Sequence, residues 1–376
     1  MRIYLDNAAT TPIDRDVLHE MQNVMENVFG NPSSIHAHGR EARSIVEKAR
    51  KTIAGLINAS PSEIFFTSGG TEADNTAIRS SIVNLNLTHA ITSKIEHHAV
   101  LHTLQSLEKS GTIRLSYLNV DSKGNIDLEH LQKLLSNTER SFVSLMHANN
   151  EIGTLTNINK VGELCEEYKA IYHCDSVQTM GHYRLDVEEL KVHFLVCAAH
   201  KIHGPKGVGF IYINHKVKCG PLIFGGSQER NMRGGTENIY GIAGVAKALQ
   251  LAYENIDRHT EYISELKEYM TGRLKEEIPG VTFNGETEPA KSLYTILNAS
   301  FPFTDMADML LFNLDIEGIS VSGGSACSSG TNIGSHVLTE IRADASKPAI
   351  RFSFSKENTR EEIDYVVSKL KQILGV

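Results

Sequence analysis

Phe65-Phe66-Thr67-Ser68-Gly69-Gly70-Thr71-Glu72-Ala73-Asp74-Asn75 reads as a buried strand that runs into two glycines and then into a helix opened by Thr71. Glycine lets the backbone come close to a ligand, and first-turn N–H groups together with the helix dipole favour a phosphate. The Thr71 hydroxyl would add a donor. The spacing is neither G-x-G-x-x-G nor a P-loop, so it does not indicate a dinucleotide or ATP. Taken alone, a tight turn with no ligand explains these residues equally well.

Outward from this turn the same alternation continues. Ile45, Ala49, Ile53 and Leu56 form one stripe of a helix. Further strand-length apolar runs cover 90–93, 113–120, 142–147, 171–175, 194–199 and 208–213. Helical periods lie between several of them; one starts at Asp127 as N-cap, followed by Leu128, Leu131, Leu134 and Leu135. Strands alternating with helices predict an α/β fold with a mostly parallel central sheet flanked by helices. After about residue 255 the texture changes to a charged helix from Arg258 to Glu277, a break near Pro279-Gly280 and shorter segments, which predicts a smaller α+β domain.

The 376 residues suggest two or three domains, and 41% hydrophobic content is ordinary for a globular chain. Lys+Arg 37 against Asp+Glu 45 leaves a net charge of −8, which argues against a global electrostatic grip on nucleic acid or anionic membrane. No apolar stretch approaches the roughly 20 residues of a membrane span. The N-terminus also reaches a charge too early for a signal-peptide core, so a cytoplasmic chain is expected. The five cysteines (165, 174, 197, 219 and 327) are odd in number and show no C-x-x-C pair, which speaks against a disulfide framework or thiolate zinc site.

Four more segments carry candidate chemistry. Lys201 closes an apolar strand before a Gly/Pro-rich turn, where burial can lower a lysine's pKa and leave an amine able to condense with an aldehyde; a solvated strand-end lysine is the plainer alternative. Asp175 stands at the carboxyl end of a buried strand, where α/β sheets place ligands and a carboxylate can keep a pyridine nitrogen protonated, although it can also simply cap a turn. His97 follows another strand and suits either ring stacking with acid–base work or a satisfied loop. The pairs His36/His38, His97/His98 and His200/His203 lack a recognisable zinc grammar, and no metal is expected. Cys327 sits in Ser320-Val321-Ser322-Gly323-Gly324-Ser325-Ala326-Cys327-Ser328-Ser329-Gly330, small flexible residues that suit a reactive, moving thiol better than a structural one.

Together, and in order, Tyr4-Leu5-Asp6-Asn7-Ala8-Ala9-Thr10-Thr11-Pro12, Phe29-Gly30-Asn31-Pro32-Ser33-Ser34, Gly70-Thr71-Glu72, Glu96-His97, Asn149-Asn150-Glu151-Ile152-Gly153, the 175–178 segment, His200-Lys201, Ser325-Ala326-Cys327 and Arg351-Phe352-Ser353 closely resemble the cysteine desulfurases. These are pyridoxal-phosphate (PLP) enzymes of the class V aminotransferase group with the fold-type I architecture. The Ser-Ala-Cys loop resembles the group feeding iron–sulfur assembly and related sulfur transfer, not the Arg-x-Gly-His-His-Cys-Ala group.

The resemblance implies that Lys201 forms the Schiff base with PLP, Asp175 pairs with the ring nitrogen, Gln178 bonds the phenolic oxygen and His97 stacks on the ring. Gly70, Thr71 and His200 would hold the phosphate, with Thr236 reaching in from a second subunit of a homodimer. Asn149 and Arg351 would bind the substrate carboxylate, and Cys327 would take sulfur from L-cysteine as a persulfide. The persulfide would pass to an acceptor such as an iron–sulfur scaffold or a tRNA-thiolation enzyme. The implied division is a PLP-binding large domain over 14–255 and a small domain of 1–13 plus 256–376 that carries the cysteine loop. Another PLP aminotransferase or β-lyase on the same fold, or a selenocysteine lyase, is the alternative. One departure is visible: many relatives have Ser-Gly-His-Lys where this chain has Ala198-Ala199-His200-Lys201, so a hydroxyl expected on the phosphate is missing.

Overall fold

The strand-to-glycine turn is the edge of a seven-stranded sheet. The computed structural model describes residues 2–137, 140–302, 309–323 and 334–376; Cys327 lies outside the described residues. Along the chain the strands are β1 (Ile3–Tyr4), β2 (Ile64–Thr67), β3 (His89–Ser93), β4 (Arg114–Leu118), β5 (Phe142–Ser144), β6 (Ile171–Cys174), β7 (Phe194–Ala198), β8 (Gly209–Ile213), β9 (Thr282–Asn284), β10 (Ile296–Ser300), β11 (Ile319–Ser320) and β12 (Ala349–Ser353).

The large sheet has the order β2-β8-β7-β6-β5-β3-β4. Its ladders β3–β4, β3–β5, β5–β6 and β6–β7 are parallel, whereas β8 runs antiparallel to both neighbours. Two antiparallel steps restore direction, so the carboxyl ends of β2, β3, β5, β6 and β7 all reach one edge of the sheet. That is where open α/β sheets gather ligands. Every residue of β2, β3, β5, β6, β7 and β8 is buried, as expected for strands covered on both faces by helices.

Helices Arg15–Asn27 and Ala37–Leu56 lie against Ile239–Glu254 over one face of this sheet. Asp14 caps the first of them through Asp16 N (2.9 Å), and Asp127 caps Leu128–Ser136 through His130 N (2.9 Å) as its sequence predicts. The strand expected over 142–147 ends at Ser144, because the Met146 amide turns away to donate to Glu96 Oε1 (3.1 Å).

A second apolar core lies around the antiparallel sheet β12-β10-β9. Leu266, Met270 and Leu274 of helix Ile256–Glu277 and Val366 and Leu370 of Arg360–Leu374 meet Leu297, Phe301 and Phe352 there, all at 2% exposure or less. Full burial of such a side chain contributes about 1.5–3 kcal/mol. The N-terminal β1 pairs in parallel with β11 and places Ile3 and Leu5 in this second core, next to residues more than 300 positions away in the sequence. Among the described residues, no helix is long and apolar enough to cross a membrane.

Candidate active site

The carboxyl edge of the large sheet opens into a cavity of about 340 Å³, whose walls include Gly70, His97, Asp175, Gln178, Lys201 and Arg351. Four stretches that are distant in sequence converge on it because β2, β3, β6 and β7 point the same way, and Arg351 reaches it from β12 of the second sheet.

Lys201 ends the short 3-10 turn Ala199–Lys201 that follows β7. The N-terminal segment lies over it: the Lys201 amine donates to the carbonyl oxygens of Ala8 and Ala9, the latter at 2.9 Å. Gln178 Nε2 donates to the same Ala8 oxygen (3.1 Å). Thr11 is tied to the turn through its N–H and its hydroxyl, both donating to His200 O at 2.9 Å. These contacts fix the direction of the amine through a run, Tyr4 to Pro12, that stands far from it in the sequence.

Asp175 follows β6, and its Oδ1 accepts from Val177 N at 2.9 Å. Burial pushes this carboxyl up, while His97 and Lys201 nearby favour its ionised form. One ligand-type atom from each of Asp74, His97 and Asp175 lies within 4.8 Å of the others, so the acids and the imidazole form one electrostatic unit. His97 caps helix His98–Lys109 by accepting from Ala99 N through Nδ1 (3.2 Å). In its neutral form the ring therefore carries its proton on Nε2. Burial pushes His97 down, with Asp175 opposing. Behind this unit His173 Nε2 stands 3.3 Å from Asp74 Oδ1; burial drives Asp74 well up and His173 down to about 3, so this imidazole is neutral at physiological pH.

The glycine turn closes one end of the cavity. Gly70 begins the helix Gly70–Asn75, and a Cβ built there would stand 2.9 Å from Val177 Cγ2 and 3.7 Å from Ala198 Cβ. Thr71 and His200 also line the cavity. Glu72 braces the turn by accepting from Ser68 N (2.8 Å) and from Arg233 Nε (3.0 Å). Ala198 faces the same end and brings no hydroxyl, as its sequence implies.

Arg351, in β12, is 1% exposed. Its Nη2 meets Asp6 Oδ1 at 2.7 Å and its Nη1 donates to Asn150 O at 2.8 Å, while its buried Nε has no partner among the described residues. A buried guanidinium with unused donors on a cavity wall suits a carboxylate. The expectation for Asn149 needs correction. Its Oδ1 accepts from Glu151 N (2.9 Å) and Ile152 N (3.1 Å), its Nδ2 donates to Ile95 O (2.7 Å), and Asn150 rather than Asn149 forms the wall. The side chain of Asn149 is spent on shaping a turn. Thr236 is exposed and is not part of the wall within one chain.

Asp6, Glu96, Glu151 and His336 were not singled out by their own sequence settings, although three of them fall inside runs that carry the resemblance. Buried acids beside short apolar strands are the signal that points to Glu96 and Glu151. Nothing local marks Asp6 as the partner of Arg351.

The sequence matches the class-V aminotransferase family over residues 3–366. The chain belongs to the class-V aminotransferases, in their cysteine desulfurase branch. It is 43% identical over 376 residues to a cysteine desulfurase IscS of Dictyoglomus turgidum, covering 99% of this chain and 94% of that protein. It is 44% identical over 367 residues to a putative cysteine desulfurase IscS 1 of Bacillus subtilis, covering 96% of each. A solved NifS-like protein superposes with a TM-score of 0.92 at 38% identity, covering 100% of both chains. Class-V enzymes of this branch depend on PLP, and the donor set fits that group: an amine, a carboxylate for a ring nitrogen, an imidazole, and a cradle at Gly70 that a Cβ would fill.

Four of the five cysteines are described, and none of them lines this class-V cavity. Burial pushes the thiols of Cys165, Cys174 and Cys197 far up and that of Cys219 up to about 11. All four remain inert thiols at physiological pH.

Proposed function

We propose that this chain converts L-cysteine to L-alanine and carries the released sulfur as a persulfide on Cys327. The convergence of Lys201, Asp175, His97 and Arg351 on one cavity that none of the four described cysteines lines supports the reading most directly. Bound PLP supplies an electron sink for the substrate α-carbon.

The chain's own groups then have separable tasks. Arg351 fixes the substrate carboxylate, replacing solvent around its unused donors. The Lys201 amine, aimed by Ala8 and Ala9, takes the α-proton and returns it. Asp175 holds a proton on the ring nitrogen, since a pyridinium beside it favours its ionised form. Gln178 holds the ring's oxygen, and Gly70, Thr71 and His200 hold the phosphate. The Cys327 thiolate attacks the substrate sulfur. The substrate carbon–sulfur bond breaks, a sulfur–sulfur bond forms, and the former sulfur-bearing carbon gains a proton, so cysteine plus thiol gives alanine plus persulfide.

Residues 14–255 serve in this reading as the cofactor-holding unit, and 1–13 plus 256–376 as the unit that carries Cys327 and Arg351. A homodimer with Thr236 on the partner's phosphate accounts for the exposure of that threonine. The acceptor is a protein of iron–sulfur assembly or tRNA thiolation in the cytoplasm.

The test supplies purified protein with PLP and L-cysteine and follows sulfide, alanine and the cofactor's visible band. Lys201→Ala should lose the covalently bound cofactor band. Cys327→Ala should keep the band and its response to cysteine yet release no sulfide; normal turnover by that variant would favour a β-lyase instead.

A further inference from the structure

The wall of the same cavity holds a pair of groups to which the proposed reaction assigns no task. Ser335 caps the helix His336–Glu340, and its hydroxyl donates to Glu151 Oε2. Glu151 is fully buried, and both Glu151 and His336 line the cavity. His336 Nε2 lies 3.0 Å from the carbonyl oxygen of Glu96. A carbonyl only accepts, so Nε2 must carry a hydrogen.

The consequence falls on the other ring nitrogen. In neutral His336, Nδ1 is a bare lone pair; it is buried and, among the described residues, without a hydrogen-bond partner, 4.0 Å from Glu151 Oε1, which is likewise buried and unpartnered among them. With both groups deprotonated, two buried acceptors face each other and no donor among the described residues lies between them, which costs stability. A small rotation with one added proton satisfies both atoms at once, whichever atom carries it.

We propose that Glu151 and His336 are positioning residues that share a single proton and through it hold the Ser335–His336 wall against the Glu96 backbone. The proposal rests on the desulfurase reading only in taking this wall to face the substrate. Around the pair, His98 lies tilted against His336 with ring centroids 4.5 Å apart and stacks on His102 at 4.6 Å. Burial, then His336, His102 and His97 push His98 down to about 4, so it stays neutral and contributes no charge. The Arg351 guanidinium favours ionised Glu151, the buried Glu96 carboxyl lies next to the bond on His336, and the Lys94–Glu340 pair (3.4 Å) sits at the surface. Burial pushes Glu151 up against the help of Ser335, His336 and Arg351.

Glu151→Gln separates this role from a merely structural one. The amide oxygen accepts from Ser335 and the amide nitrogen donates to Nδ1, which reproduces the singly protonated pair and cannot lose its proton. In cofactor-free protein, the melting temperature of Glu151→Gln minus that of wild type should rise by several degrees between pH 5.5 and 8.5. The native pair keeps a proton that the unfolded chain releases, so wild type loses stability as pH rises. In the His336→Phe background the midpoint of that rise should move by half a pH unit or more. For PLP-loaded protein, the alkaline limb of kcat/KM for L-cysteine should shift up by at least one pH unit in Glu151→Gln. A pH-independent difference, or a midpoint unmoved by His336→Phe, overturns the proposal. If Glu151→Gln does not fold, Ser335→Ala must raise the same midpoint, and a failure to do so overturns it equally. The melting arm needs no turnover, so wild type that releases no sulfide would remove the desulfurase reading and leave this result standing.

Discussion

Asp6 Oδ1 meets Arg351 Nη2 at 2.7 Å, although 345 positions separate the two residues. The contact joins the N-terminal segment that covers Lys201 to the strand that holds the cavity-lining guanidinium. Ser322 adds a hydroxyl donated to the same Asp6 oxygen (2.8 Å), and its backbone pairs with that of Arg351. The amine and the guanidinium are therefore set relative to each other by one short stretch of chain.

Arg351→Lys should raise KM for L-cysteine about 10–100-fold with a smaller change in kcat, because a lysine cannot form the planar two-pronged contact. Asp6→Ala leaves a buried guanidinium with one partner fewer and should cost on the order of 2 kcal/mol in stability. Steady-state kinetics at varied cysteine and chemical denaturation check the two effects. An unchanged KM in Arg351→Lys would place the substrate carboxylate elsewhere.

Gly70→Ala tests the cradle. The added Cβ would stand 2.9 Å from Val177 Cγ2, so the turn or the valine must shift at the place proposed to hold the phosphate. A shift there should weaken cofactor retention about tenfold with little loss of fold, read as PLP released on dialysis. Retention equal to wild type would move the phosphate away from this turn.

Arg50 and Glu229 form a buried ion pair at 2.8 Å, each side chain 3% exposed, and Glu229 Oε2 also accepts from Phe66 N (2.8 Å) in β2. Glu229→Ala removes the two-pronged partner of buried Arg50, leaving it Glu47 and the Ile64 carbonyl, and strands the Phe66 amide in the strand before the glycine turn. It should destabilise the chain by about 3–5 kcal/mol. Replacing both partners with apolar residues of similar size should restore much of that loss, as measured by urea unfolding.

Glu96 carries the clearest pH signature. Burial pushes its carboxyl up to about 8, against the hydrogen bonds from Met146 N and Ser93. A folded pKa above the unfolded value contributes stability that is fully present below the unfolded pKa and is lost as pH rises through the folded one. Wild type should therefore lose stability between about pH 4.5 and 8, the interval between the ordinary and the raised value, and Glu96→Gln should lose less over that interval. The two proteins should bind PLP alike at pH 7, where Glu96 is already protonated. Parallel stability curves would place an ionised carboxylate at this position.

Local sequence determined the alternation of strands and helices, the glycine turn and the caps at Asp14 and Asp127, because each depends on neighbours a few residues away. The resemblance singled out Lys201, Asp175, His97 and Arg351, and all four reach one cavity. Only the tertiary structure decided that parallel pairing brings the ends of β3, β6 and β7, with His97, Asp175 and Lys201, to one edge, and that Arg351 reaches the same cavity from β12 of the second sheet. The structure also gave the side chain of Asn149 to its own turn and joined Asp6 to Arg351 and Glu151 to His336. These pairings depend on where distant segments are brought together by the two cores, and the chain's local preferences carry no record of that.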